Sequence, residues 1–165
     1  DWYGNKFAWQ LGTFINEPFG LPDFDARIEY THIDPWVYTH RFPIDSYTHY
    51  GDVIGHRIGP NADEIYLELR KRFSRRLKTA VYFSGGRHGA NTAGENVGGD
   101  PLAGFLPGDS KEAHCLDGDL EKTNTYGFDI SYEILWQLFV RAGYARETFN
   151  GDGINRLSLM IGLNE

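Results

Sequence analysis

The sequence predicts an all-β protein: an antiparallel transmembrane β-barrel, or part of a larger one. Three observations carry this. Segments of about ten residues alternate between apolar and polar side chains, aromatic residues bracket the apolar faces, and very short connections alternate with very long ones. The composition fits. Aromatics make up 15% of the chain and there are 20 glycines, yet 24% of residues are charged, as expected of β-structure whose two faces meet different surroundings.

The strands are justified in order. In 6–16, Phe7, Trp9, Leu11 and Ile15 share one face, with Ala8, Gln10 and Gly12 on the other. In 25–33, Ala26, Ile28 and Tyr30 oppose Arg27, Glu29 and Thr31. In 64–73, Ile65, Leu67 and Leu69 oppose Tyr66, Glu68 and Arg70. In 77–86, Leu77, Val81 and Phe83 oppose Lys78, Ala80 and Ser84. The segment 122–134 is the clearest, with Tyr126, Phe128, Ile130, Tyr132 and Ile134 against Thr125, Gly127, Asp129, Ser131 and Glu133. In 136–148, Trp136, Leu138, Val140, Ala142 and Tyr144 oppose Arg141, Gly143 and Glu147. In 154–163, Leu157, Leu159, Ile161 and Leu163 oppose Arg156, Ser158 and Gly162. Successive side chains of a strand point to opposite faces, so each segment separates an apolar from a polar environment.

A soluble antiparallel sandwich would alternate in the same way, apolar inside and polar outside. Strand length argues for the barrel, since strands of globular proteins average about five or six residues. Tyr126 and Trp136 stand at the two ends of one apolar face. At a rise of about 3.3 Å per residue and a tilt near 40° they enclose roughly 25 Å, the height of a barrel's apolar band. The turns at 74–76 and near Leu135-Trp136 are tight, whereas 34–63 and 87–121 are long. This is the asymmetry of periplasmic turns and external loops. The long segments are therefore expected outside, as is the hairpin Asn150-Gly151-Asp152-Gly153, with 17–24 as a further periplasmic turn.

Several classes are excluded or disfavoured. No apolar run approaches the roughly 18 residues of a membrane helix, and Asp1-Trp2-Tyr3-Gly4 is not a basic-then-apolar leader. One cysteine, Cys115, permits neither an internal disulfide nor a multi-cysteine zinc motif. A net charge of −7 argues against a nucleic-acid partner. The chain is read as one domain, 1–165. Seven strands are an odd count for a bacterial barrel. Either a further strand lies within 34–63, or the rest of the same barrel, or a partner chain, completes the wall.

With the strands placed, "GDVIGHRIGPNADE" at 51–64, preceded by "RIEYTHIDP" at 27–35 and "YTHYG" at 47–51, resembles the capsule assembly protein Wzi family of outer-membrane barrels. The resemblance is good over about residues 25–90 and continues over the last 45 as a general strand pattern. It implies the C-terminal part of a longer barrel, in the outer membrane of a Gram-negative bacterium. It also implies a non-enzymatic, lectin-like role in assembling or anchoring surface polysaccharide, with membrane lipid as the other partner. The chain departs from common barrel termini by ending Leu163-Asn164-Glu165 rather than in an aromatic residue. A porin-like channel and a membrane-anchoring subunit of a surface assembly are the alternatives.

The candidate ligand-binding residues lie in the long loops. Trp36, Tyr38, Tyr47 and Tyr50 could stack on sugar rings, with Asn91 and Asn96, Asp45 and Asp52 as hydrogen-bonding partners. The polar strand faces assign Arg27, Glu29, Glu68, Arg70, Asp129, Glu133, Arg141 and Glu147 to a lumen, paired across it or lining a wet channel. Three Tyr-Thr-His triplets place His32, His40 and His49 near His56; they are read as strand-end and loop-packing chemistry rather than a metal site, which needs three or four ligands on a rigid frame. Asp117-Gly118-Asp119 lacks the spacing of a calcium loop. No metal or cofactor is assigned. Lys71, Arg72, Arg75, Arg76 and Lys78 flank a turn, where cationic stems can reach lipid headgroups.

Overall fold

The computed structural model describes residues 2–40 and 42–163; Asn164 and Glu165 of the atypical terminus lie outside them. The strands are β1 (Ala8–Asn16), β2 (Phe24–Ile33), β3 (Thr48–His49), β4 (Asp52–Val53), β5 (Ala62–Arg72), β6 (Leu77–Ala90), β7 (Asp119–Leu135), β8 (Leu138–Phe149) and β9 (Asp152–Leu163). Seven form one sheet in the order β1-β2-β5-β6-β7-β8-β9. Apart from the small β3–β4 pair, each strand lies beside its neighbour in sequence. The edges β1 and β9 are not joined, so the barrel is not closed by the described residues. β3 and β4 pair only with each other, Thr48 with Val53 and His49 with Asp52. Among its described residues the first long loop therefore contributes a small hairpin of its own and no further wall strand.

All seven anticipated strands are present, with shifted ends. β6 continues to Ala90 and β7 begins at Asp119. Apart from Leu120 these extensions are polar or small, so alternation does not reveal them; β6 there is held by bonds such as Gly89 N to Asn61 O, 2.9 Å. β8 begins two residues later than expected because Gln137 takes a left-handed conformation (φ 62°) and its N–H donates to Glu133 Oε1 at 3.0 Å. Trp136 thus belongs to the turn rather than to the strand face. The last hairpin turns through Asn150 (φ 49°) and Gly151 (φ 100°), the positive-φ pair that a two-residue connection requires.

The antiparallel registers of β7–β8 and β8–β9 align the apolar faces. Phe128, Tyr144 and Leu157 form one cross-strand row, Ile130, Ala142 and Leu159 the next, and Tyr132, Val140 and Ile161 a third. These faces are open: Leu157 is 86% and Leu159 74% exposed. On the charged side Glu68 is only 8% exposed and Glu29, Glu133 and Glu147 are half-buried, whereas Arg70, Asp129, Arg141 and Arg156 are exposed.

The contacts divide the chain into two compact units. One comprises Asp1–Leu11, Tyr30–Glu64 and Gly86–Lys122, holding both long loops; the buried apolar residues Ile33, Trp36, Val37 and Ala62 all belong to it. The other comprises Gly12–Glu29, Ile65–Gly85 and Thr123–Glu165, holding most of the wall and the short turns.

Candidate functional site

The loop unit is built around two buried residues. Trp36 is 1% exposed. Its N–H donates to Gly98 O at 2.9 Å, and Phe105 and Tyr3 pack edge-on against its indole. Tyr3 in turn stacks on Phe105, centroids 3.9 Å apart, so the segment before β1 and the second long loop enclose the first loop's tryptophan. Asn61, fully buried, is the second anchor. Its Nδ2 donates to Gly89 O (2.7 Å) and Asp117 O (3.0 Å), and its Oδ1 accepts from Leu116 N (2.6 Å). One side chain thus satisfies three backbone groups that burial would otherwise leave unpaired.

This arrangement sorts the anticipated ligand-binding residues. Trp36 presents no ring face to a ligand and serves the packing of the loops. Asn91 Oδ1 accepts from Val97 N and Gly99 N, 3.0 and 3.1 Å. Asn96 donates to Gly104 O and Asp109 Oδ2 and accepts from Gly98 N. Both asparagines are therefore engaged in holding the second loop's shape. Tyr38 is half-buried; its hydroxyl accepts from His56 N at 3.1 Å and its ring stacks near Tyr47, centroids 6.0 Å apart. Tyr47 is exposed on its far side, and Tyr50 is 97% exposed. Tyr50 and Gly51 form the turn of the β3–β4 hairpin with φ of 51° and 89°. A bulky residue rarely occupies the left-handed region, yet here it lifts an aromatic ring clear of the loops, with His49 edge-on beside it at 4.4 Å. Asp45 and Asp52 are exposed on the same loop.

One constellation was not foreseen. Cys115 Sγ lies 3.9 Å from His32 Nδ1, and His32 Nε2 donates to Asp34 Oδ1 at 3.0 Å. The order is that of a nucleophile, base and orienting acid. Its electrostatics are opposed to that role. Burial first, and then the Asp63 and Asp34 carboxylates, push the Cys115 thiol up to about 11, so the sulfur stays protonated and donates to His32. His88 bridges Glu121 Oε2 and Gly99 O, 3.0 Å each. Among the described residues no group of three or more His, Cys, Asp or Glu is arranged to hold a metal ion.

In the wall unit four of the anticipated lumen charges pair along single strands. Arg27 donates to both oxygens of Glu29 (2.8 and 2.7 Å) and lies over the Tyr66 ring at 5.2 Å. Arg70 Nε donates to Glu68 Oε1 at 2.9 Å. Glu147 pairs with Arg156 of β9 at 3.0 Å. Asp129 and Arg141 line a recess with Asp25, Lys78, Thr79 and Ser131, while Glu133 caps the turn that Gln137 makes. Lys71 and Arg72 fasten the 17–24 turn, through Pro22 O at 2.6 Å and Asp23 Oδ1 at 3.4 Å.

An antiparallel sheet of long strands that separates charged from apolar side chains and leaves its apolar face bare defines a β-barrel wall. The chain belongs to the capsule assembly protein Wzi family, whose model matches residues 1–152. The match is broader than the stretch carrying the motifs at 27–35 and 51–64. Family membership assigns the chain to capsule assembly, in a family of Gram-negative outer-membrane proteins. No curated protein and no solved structure matches the chain.

Proposed function

We propose that this chain is a wall segment of an outer-membrane barrel whose loops bind surface polysaccharide during capsule assembly, without catalysing a reaction. The observation that carries the membrane reading is the bare apolar face of the sheet: Leu157, Leu159, Ile161 and Leu163 are all exposed on one side, while Glu68 is buried on the other. In water such a face would have to be buried; in a bilayer it is the face that meets lipid. The unpaired edges β1 and β9 extend the argument. Each open backbone group costs several kcal/mol in hydrocarbon, so each edge takes a further strand, from the same polypeptide or from a partner.

The glycan reading rests on the first loop. Tyr47 and Tyr50 offer apolar ring faces with Asp45 and Asp52 nearby in sequence as hydrogen-bond acceptors, the combination of stacking surface and polar groups that sugars require. Trp36, Asn91 and Asn96 contribute by holding the loops in shape. The reading is checked on intact cells with membrane-impermeant maleimide and single cysteines in a Cys115→Ser background. Ser46→Cys should label and Arg75→Cys should not; equal labelling of both would overturn the orientation. Tyr47→Ala with Tyr50→Ala should release polysaccharide from the surface of cells that still insert the protein, and full retention would remove this loop from the proposal.

A further inference from the structure

We propose that the outer face of β7, β8 and β9 carries a binding site for one phosphate-bearing lipid, with its headgroup held by Tyr126, Arg146 and Asn155 and an acyl chain lying in the cleft over Ala142. The proposal rests on the membrane reading above and names a ligand for a face that reading leaves generic.

The first observation is a row of donors. Tyr126 pairs directly with Arg146, and Arg146 with Asn155, in the registers of β7–β8 and β8–β9. Direct cross-strand partners share a face, with Cβ atoms about 5 Å apart, so all three stand on the apolar side. Arg146 is exposed and makes no hydrogen bond or ion pair among the described residues; its Nη2 lies over Gly153, 3.1 Å from where a Cβ would be. Asn155 Oδ1 is taken by the Tyr144 hydroxyl at 2.9 Å, which leaves its Nδ2 as a donor. Tyr126 packs against Phe83, centroids 5.0 Å apart, with its hydroxyl free among the described residues. The row therefore presents a guanidinium, an amide N–H₂ and a phenol, with the Asn155 carbonyl already accepting one hydrogen bond. Three donors around one fixed positive charge suit a phosphate.

The second observation is the cleft beside it. Phe128, Ile130, Ala142, Tyr144, Leu157 and Leu159 line a recess of about 440 Å³ on the same side. It exists because Ala142 is small between the larger Ile130 and Leu159 of its row. Tyr144 lies two residues from Arg146, so the recess begins about 7 Å further along the strand, and the guanidinium leans the other way, over Gly153. From Arg146 to Leu138 the strand descends roughly 20 Å at the usual barrel tilt. The donor row thus stands at the loop-side margin of the apolar band, at headgroup depth, with the cleft at acyl depth. Closing the wall by strand pairing at β9 uses its edge and leaves this face uncovered.

The test uses the full-length barrel in nanodiscs of phosphatidylcholine doped with lipid A, either diphosphorylated or dephosphorylated, and counts retained lipid A by native mass spectrometry. The expected result is preferential retention of the phosphorylated form by about tenfold, the factor one charge-assisted contact supplies. Arg146→Gln should abolish that preference while leaving basal lipid retention, and Ala142→Phe, which fills the cleft with apolar volume, should reduce retention of both forms. Equal retention of the two forms by the unmodified protein, or an unchanged preference in Arg146→Gln, would overturn the site. Loss of the preference on adding inorganic phosphate, with Ala142→Phe indistinguishable from the parent, would mean a free-phosphate site and sink the lipid assignment. Cross-linking between protein copies through this face in place of retained lipid would sink it too. A protein that fails to enter the nanodisc in every variant would refute the membrane reading itself, a result distinct from insertion without lipid preference.

Discussion

Gly98 lies against the indole of Trp36 so closely that a Cβ on Gly98 would come within 2.6 Å of the ring, and its φ of 80° is one that side chains resist. The two long loops meet at this point. Gly98→Ala should destabilise the loop unit by about 1–3 kcal/mol through overpacking and backbone strain together. The measurement is limited proteolysis of the 91–118 loop, which should be cut faster in the variant.

Asn61 supplies the second junction. Asn61→Ala removes three hydrogen bonds at a fully buried position and leaves a residue less suited to the local φ of 55°. A loss of about 2–4 kcal/mol is expected. Hydrogen exchange at the Leu116 amide, which Asn61 accepts, should rise sharply; unchanged protection there would contradict the assignment.

The exposed tyrosine at the hairpin tip makes an unusual pair of effects. Tyr50→Asn places a residue tolerant of the left-handed region at the turn and should stabilise the hairpin by about 0.5–1 kcal/mol. The same substitution removes the ring proposed to stack on sugar. Improved thermal stability with weakened polysaccharide retention is the expected result, and retention at the parental level would separate Tyr50 from glycan binding.

Cys115 should be a slow thiol. With its pKa raised to about 11, the thiolate is scarce at neutral pH, and alkylation by iodoacetamide should run roughly two orders of magnitude below that of a free cysteine. The rate should climb as pH approaches the raised value and should become ordinary when the chain is unfolded. Fast labelling at pH 7 in the folded protein would restore the case for a reactive cysteine.

The sheet's two faces should differ sharply in tolerance. Leu159→Arg places a charge on the bare apolar row and should cost roughly 2–4 kcal/mol of folding into vesicles if it lies near the midplane. Ser158→Arg, one residue away on the charged face, should cost far less. Equal penalties would argue against a lipid-facing side.

Much of the wall was legible in the sequence, because a period of two is a local signal that five residues of a strand suffice to reveal. Tyr126 to Ile134 declare their face without reference to anything distant. The loops were legible only as loops. Trp36 looks like a sugar-stacking residue until Gly98 and Phe105, from a different loop, are brought over it, and Asn91 and Asn96 look like ligand donors until their partners prove to be neighbouring backbone. Cys115 shares no spacing that would join it to His32 and Asp34, since the first loop, β5 and β6 and most of the second loop separate the thiol from its partner. Alternation groups the charges on one face but does not say whom a charge pairs with, and Glu29 and Glu68 find their arginines two residues away on their own strands.

That last arrangement bears on how the wall is made. Arg27 with Glu29, and Glu68 with Arg70, are neutralised within a single strand. A hairpin carrying such pairs brings its counter-ions along and need not wait for an opposite wall before its charges are compensated. On the membrane reading, β2 and β5 carry this compensation with them, whereas Glu147 of β8 meets its arginine only when β9 pairs with it.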